Sequence, residues 1–356
     1  MRIVVDGMGG DLAPRAIVEG AVAALEPAPE KPPEPLEILL VGDPEVLKPE
    51  LDSFASRARE IRIIPAREVI TMSDPSTAPL RKKPDSSIRV GIDLLARGEA
   101  DAFFSAGNSG AVMATASIIL KRPPGVDRPA LAGLLPTKGG SAVVIDLGAN
   151  VDCRPLQLYQ FAIMGSGFCR IATGKENPRV GLLNNGEEEE KGNNLSQQTH
   201  QLLKTSSLNY LGFIEGQDIF NGRADVVVCD GFIGNVVLKS AEGLAENIQN
   251  FLKDQIKSHP LRALGYLLLR GAYAQLRKKI DYRQQGGAPL LGVNGVVIIG
   301  HGRSNALAVK NGIYLAGRLA AQKLPDWIAQ ELKAVPLEPA PPEGDSSKNL
   351  ESPSLQ

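Results

Sequence analysis

Five short turns in this chain collect the residue types that hold anions. They are Asp6-Gly7-Met8-Gly9-Gly10-Asp11, Ser105-Ala106-Gly107-Asn108-Ser109-Gly110, Asp146-Leu147-Gly148-Ala149-Asn150, Asp230-Gly231-Phe232-Ile233-Gly234-Asn235 and Gly300-His301-Gly302-Arg303-Ser304-Asn305. Glycine lets a backbone approach a ligand closely. A turn that opens a helix aims several N–H groups at one spot, which suits phosphate. One such turn also reads as a tight strand-to-helix connection with an Asp or Ser cap. Five of them carry more Asn and Ser than helix packing requires. Asp6, Gly9, Gly10, Asp11, Asn108, Ser109, Asn150, Asp230 and His301 are therefore candidates for phosphate or substrate binding. None of the turns is a Walker loop, because no Gly-Lys-Ser/Thr follows, and none completes a dinucleotide fingerprint.

A sixth segment runs from Leu182 through Asn184-Asn185-Gly186 into four glutamates, Lys191, Gly192 and Asn193. It reads as a solvated acidic first turn of a helix, favoured by the macrodipole. It also reads as a strand end that brings Lys191 into a cleft. The acidic positions form no recognisable ligand set, so no metal is implied; without a Walker loop or a dinucleotide fingerprint, no cofactor is expected. His301 suits either proton transfer or a structural hydrogen bond.

Elements with the right rhythm stand before these turns. Ile3–Val5, Glu37–Val41, Ile61–Ile64, Ala102–Ser105, Ala142–Asp146, Val180–Leu183, Asp225–Cys229 and Gly295–Ile299 read as strands. Pro14–Leu25, Ile88–Ala96, Ala111–Leu120 and Ser304–Gln322 read as helices. Alternation of this kind predicts a largely parallel sheet covered on both faces. Ligands then bind beyond the carboxyl ends of the strands. The proline-rich stretch from Glu26 to Pro35 reads as an exposed loop. From Pro336 to Gln356 the composition predicts a disordered tail.

Composition narrows the function. The chain has 356 residues, 43% hydrophobic and 22% charged, with a formal net charge of -1. No overall positive field draws it to nucleic acid. Three cysteines, Cys153, Cys169 and Cys229, give neither a disulfide framework nor a zinc spacing and fit a reducing cytoplasm. No signal peptide is expected, nor an apolar run near the ~18 residues of a membrane span.

The motifs occur in a specific order. Asp6-Gly-Met-Gly-Gly-Asp-Leu-Ala-Pro14, Ser105–Gly110, Asp146-Leu-Gly-Ala-Asn-Val-Asp-Cys153, Gly186–Gly192, Asp230–Asn235 and Gly286-Gly-Ala-Pro-Leu-Leu-Gly-Val-Asn-Gly295 follow one another. Over roughly residues 1–330 the chain resembles the acyl-acyl carrier protein:phosphate acyltransferase family of bacterial phospholipid synthesis. Gly7 stands where that family usually has alanine. The resemblance implies one catalytic domain over 1–335 with a three-layer α/β/α fold, similar to phosphotransacetylase and isopropylmalate dehydrogenase, in a homodimer. It implies transfer of a fatty acyl group from acyl carrier protein to inorganic phosphate, giving acyl phosphate for a membrane acyltransferase. Lys191 and Asn235 match the positions associated with catalysis. Three other readings stay open beside it. One is a cysteine acyl-enzyme, for which Cys153 and Cys229 lie near strand ends. Another is an NAD- and metal-dependent decarboxylating dehydrogenase of related fold, whose dinucleotide signature is missing here, and the third is a non-enzymatic binding protein, which would leave the polar turns without a purpose.

A last segment is basic and partly apolar. Lys253–Arg283 carries eight basic and two acidic side chains and is broken near Ser258-His259-Pro260. It lies in an expected helical hairpin over about 244–285. Leu264, Leu268, Ala272 and Leu276 share one helical face, and Arg262, Arg270 and Arg277 fall towards the other. Such a helix suits a dimer partner, an anionic bilayer surface, or both, through Leu264, Leu267, Leu268 and Arg270. The expected location is the cytoplasm and the inner face of the cell membrane.

Overall fold

A computed structural model describes residues 1–27, 32, 34–54 and 60–333, except the side chains of 263, 272, 276–280 and 282. The proline-rich stretch lies partly, and the tail wholly, outside the described residues. Eleven strands form one sheet. In chain order they are β1 (Arg2–Asp6), β2 (Glu37–Gly42), β3 (Ile61–Pro65), β4 (Ala102–Ser105), β5 (Ala130–Thr137), β6 (Gly140–Ile145), β7 (Val180–Leu183), β8 (Tyr210–Ile214), β9 (Val226–Val228), β10 (Ala288–Leu291) and β11 (Val296–Ile299). Across the sheet the order is β3-β2-β1-β4-β11-β10-β5-β6-β9-β7-β8.

Alternate side chains of β1 enter different cores. Ile3 and Val5 join one cluster with the Arg15–Leu25 and Ala306–Ala321 helices, and Val4 joins another with the Ser87–Ala96 and Ser109–Ile119 helices. Both faces are covered, which gives the expected three layers. β4 and β7 have the expected bounds, and the other expected elements differ from theirs by one or two residues.

Seven strand pairings are parallel and three are antiparallel. The antiparallel ones run through β10 and β5, which sequence reading missed. They turn the second group of strands, β6, β9, β7 and β8, against the direction of β1 to β4 and β11. β10 is shared: Ala288 and Pro289 pair with β11, whereas Leu290 and Leu291 pair with β5. Beyond Leu131, β5 is paired with β6 alone as far as Thr137. The sheet therefore opens along one edge of β5.

The Gly231–Lys257 helix spans 27 residues, and Ser258 and His259 link it to the Pro260–Ile280 helix. His259 caps the second helix by accepting from the Leu261 N–H, and Pro260 takes its first position. This hairpin forms a protruding arm with exposed Leu264, Leu267, Leu268 and Arg270; Leu268 is 88% exposed. The arm is longer than the expected 244–285, because its first helix starts at the Asp230–Asn235 turn. Among the described residues, no helix is long and apolar enough to cross a membrane.

Candidate active site

Two buried carboxylates shape the turns. Asp6, at the end of β1, has no exposed surface and accepts from the Ser105 hydroxyl at 2.7 Å and the Met8 N–H at 3.1 Å. Asp146, just after β6, accepts from the N–H groups of Leu131, Gly148, Ala149 and Asn150 and from the Asn150 amide. Burial raises the pKa of both, and those hydrogen bonds oppose the rise. Each carboxylate gathers the turn that follows it, so it positions other groups instead of facing the cavity.

Three helix N-termini stand over these turns, each capped by an Asx side chain. Asn108 accepts from Ala111 N–H, Asp230 from Ile233 N–H, and Asn305 from Ala308 N–H. Their partial positive ends favour an anion. The Gly300–Asn305 turn is tied to the first one, since Asp11 N–H donates to the Gly302 carbonyl at 2.7 Å.

Between the turns and the arm lies a cavity of about 890 Å³. Its polar side includes Asp11, Ser109, Asn235, Lys239, His301 and Arg303. Ser304 also lines it, with a buried hydroxyl that has no hydrogen-bond partner. Its apolar side includes Leu131, Leu134, Leu135, Leu147, Phe220 and Leu238. Burial lowers the His301 pKa below its ordinary value.

The structure thus brings Asp11, Ser109, Asn235 and His301 to one cavity. Asp6, Gly9, Gly10, Asn108, Asn150 and Asp230 stand behind it. Asn108 also ties down the 71–74 segment by donating to the carbonyls of Thr71 and Asp74. Asn150 donates to the Pro129 carbonyl and to Asp146. Gly9 leaves no room for a side chain, since a Cβ there would sit 2.4 Å from Asp6. Lys191 is exposed on the turn after β7, outside the cavity lining. Among the described residues, no His, Cys, Asp and Glu cluster could hold a metal.

Sequence reading missed the apolar wall. Its signal was the run Ala130-Leu-Ala-Gly-Leu-Leu-Pro-Thr137, whose alternation is blurred by Gly133 and Pro136. The cysteines are poorly set for attack. Burial, with Asp146 adding, pushes the Cys153 thiol up to about 12, and burial holds Cys229 well above its ordinary value.

The fold and sequence both have close counterparts. The chain superimposes on a phosphotransacetylase from Streptococcus pyogenes with a TM-score of 0.61 at 16% identity, covering 90% of this chain and 94% of that one. A branched-chain phosphotransacylase from Enterococcus faecalis gives 0.54 at 13% identity, covering 90% and 99%. These likenesses establish the fold. In sequence, the chain is 51% identical to a phosphate acyltransferase from Geotalea uraniireducens over 94% of both chains. It is 49% identical to one from Geobacter sulfurreducens, again over 94% of both. Residues 1–326 match the family described as fatty acid synthesis protein. By that match and by its identity to these relatives, the chain belongs to the phosphate acyltransferase family and is an acyltransferase of lipid synthesis.

Proposed function

We propose that the protein moves a fatty acyl group from acyl carrier protein to inorganic phosphate, giving acyl phosphate for phospholipid synthesis. The observation that carries this reading is the two-sided cavity, in which a leucine-rich wall faces capped helix ends and polar turns. A phosphate oxygen attacks the thioester carbonyl, and the carbon–sulfur bond of the tetrahedral intermediate then breaks. Phosphate is already an anion near neutral pH, so the step requires no strong base. It requires orientation of phosphate and donors for the oxyanion. Ser109, Ser304 and the turn N–H groups serve the first need, and the Asn235 amide serves the second. Lys191 offsets the charge of phosphate or of the departing thiolate. Purified protein mixed with acyl-acyl carrier protein and phosphate should release thiol and acyl phosphate in equal amounts. Thiol release without acyl phosphate would mark a hydrolase, and absence of turnover would remove the reading.

Direct attack by phosphate leaves the cysteines idle. A Cys153→Ala, Cys169→Ala, Cys229→Ala variant that folds is expected to keep activity within about threefold of wild type, since no thiolate is poised for nucleophilic attack. Mass spectrometry during turnover checks this. A trapped acyl-cysteine would establish the two-step route instead.

We read the arm as serving both a homodimer and a peripheral contact with anionic membrane at the inner face of the cell. Leu244, Ile248 and Phe251 form an exposed stripe on its first helix, and Leu264, Leu267 and Leu268 are exposed on its second. An acyl phosphate has a lipid tail and needs delivery to a membrane enzyme. Salt-sensitive flotation with anionic vesicles is expected for wild type, and several-fold less for Leu268→Glu. Equal flotation of the two proteins would leave the arm as a dimer element only.

A further inference from the structure

The structure points to a device that sets acyl-chain length. This inference rests on the acyl-transfer reading above. We propose that the acyl chain lies along the unpaired edge of β5 and that Leu147, seated over Gly133, fixes how much of a long chain the wall accepts.

The wall follows β5. Leu131, Gly133, Leu134, Leu135 and Thr137 all line the cavity, and Phe220 lines it as well. The Phe220 carbonyl accepts from Lys138 N–H, which places this ring at the far end of the strand. From Leu131 to Thr137 the strand rises about 20 Å at roughly 3.3 Å per residue. That is about the reach of an extended sixteen-carbon chain. Leu131, Leu135, Leu147 and Leu238 also belong to or border the small hydrophobic cluster beneath the arm. An acyl chain on this wall would extend that cluster.

Gly133 controls the position of Leu147. A Cβ at Gly133 would stand 2.5 Å from the Leu147 Cδ1 atom. The obstacle is the end of a flexible side chain, so a methyl group there turns Leu147 instead of moving backbone. Around Leu147, Val144, Ile219, Val227 and Cys229 are packed together, and the open space is the cavity. Leu147 therefore turns inwards and covers wall. Leu147 also precedes Gly148, where a Cβ would stand 3.5 Å from the Asn235 Cβ, so the wall begins beside the proposed oxyanion donor and the acyl chain passes Leu147 within its first several carbons.

The test measures kcat/KM with carrier protein loaded with four, eight or sixteen carbons. Loss of burial for two methylenes lowers binding on the order of tenfold. Gly133→Ala should thus lower the sixteen-to-four-carbon ratio about tenfold, mainly through KM. Adding Leu147→Ala should restore the ratio. Leu147→Ala alone should raise the preference for long chains, which covers the case in which Gly133→Ala fails to fold. A ratio unchanged in the single variants, or not restored in the double one, overturns the proposal. Binding of a fluorescent sixteen-carbon fatty acid to the same proteins reads the wall without turnover. If wild type binds the probe with the expected variant order but makes no acyl phosphate from any chain, the transfer reading fails and the wall stands. If the variants bind the probe as wild type does, the wall fails.

Discussion

Asn235→Ala is expected to lower acyl-phosphate formation by about 100-fold or more, with melting close to wild type. A donor that acts mainly on the developing oxyanion is commonly worth about 3 kcal/mol. Asn235 lines the cavity from the first turn of the arm helix, directly beside Gly148. Gly148 has φ +129°, a conformation that suits glycine and lets the turn run flush against the amide. The side chain is exposed in the cleft, so its removal leaves the core untouched. Lys191→Ala should cost a similar factor by a different route. Its turn is held by backbone: Lys191 N–H donates to the Glu188 carbonyl at 3.0 Å, and Gln197 donates to the Lys191 carbonyl. The side chain stands outside the cavity lining and must reach in when substrate binds. Single-turnover assays separate the two residues from binding effects. Near-normal rates in both variants, with unchanged melting, would remove them from the mechanism.

Gly234→Ala is expected to be more damaging than either change, through a single methyl group. A Cβ at Gly234 would stand 1.8 Å from the Asp146 carbonyl oxygen and 3.1 Å from the Cys229 sulfur. Neither obstacle is a flexible chain end, so the arm helix must move off the Asp146 turn. That separates Asn235 from the cavity and breaks packing at once. A loss of about 3 kcal/mol or more is expected, as for an overpacked core site. Gly243, nine positions along the same helix, has nothing within 4 Å of its Cβ site. Gly243→Ala should instead gain roughly 0.5–1 kcal/mol from helix propensity. Urea denaturation of the two variants compares them directly. Similar behaviour would mean that the close contact at Gly234 does not constrain the fold.

The strands that carry β-branched or aromatic runs before glycine-rich turns were legible in the sequence. Ile3–Val5 and Ala102–Ser105 are examples, because buried parallel strands concentrate such residues. β5, β8 and β10 were not. β5 contains Gly133 and Pro136, β10 contains Pro289, and β8 contains Gly212 in a left-handed conformation. Their strand character comes from neighbours distant in the chain, which no local pattern records. The same omission hid the reversal of direction between the two groups of strands and the leucine wall that follows from it. The polar half of the cleft was legible because capped turns are local motifs. Which of their side chains face substrate was not, since Asn108, Asn150 and Asp230 share the same residue types with groups that line the cavity. The hairpin break at Ser258-His259-Pro260 was legible from proline, whereas the unbroken helix back to Gly231 was not.

The placement of β11 beside β4 has a consequence for how the protein is made. β4 ends at Ser105 and its neighbour β11 begins at Val296, about 190 residues later. At a synthesis rate of about 5–20 residues per second, the ribosome needs roughly 10–40 s to supply that partner. During this interval the nascent chain holds β3, β2, β1 and β4 with the inner edge of β4 open, where Phe103 and Phe104 have no second strand beside them. The intervening stretch includes β6, β9, β7 and β8, whose mutual pairings are complete before β11 exists. The second group of strands can thus mature while the first still waits, its unpaired backbone a template for stray chains.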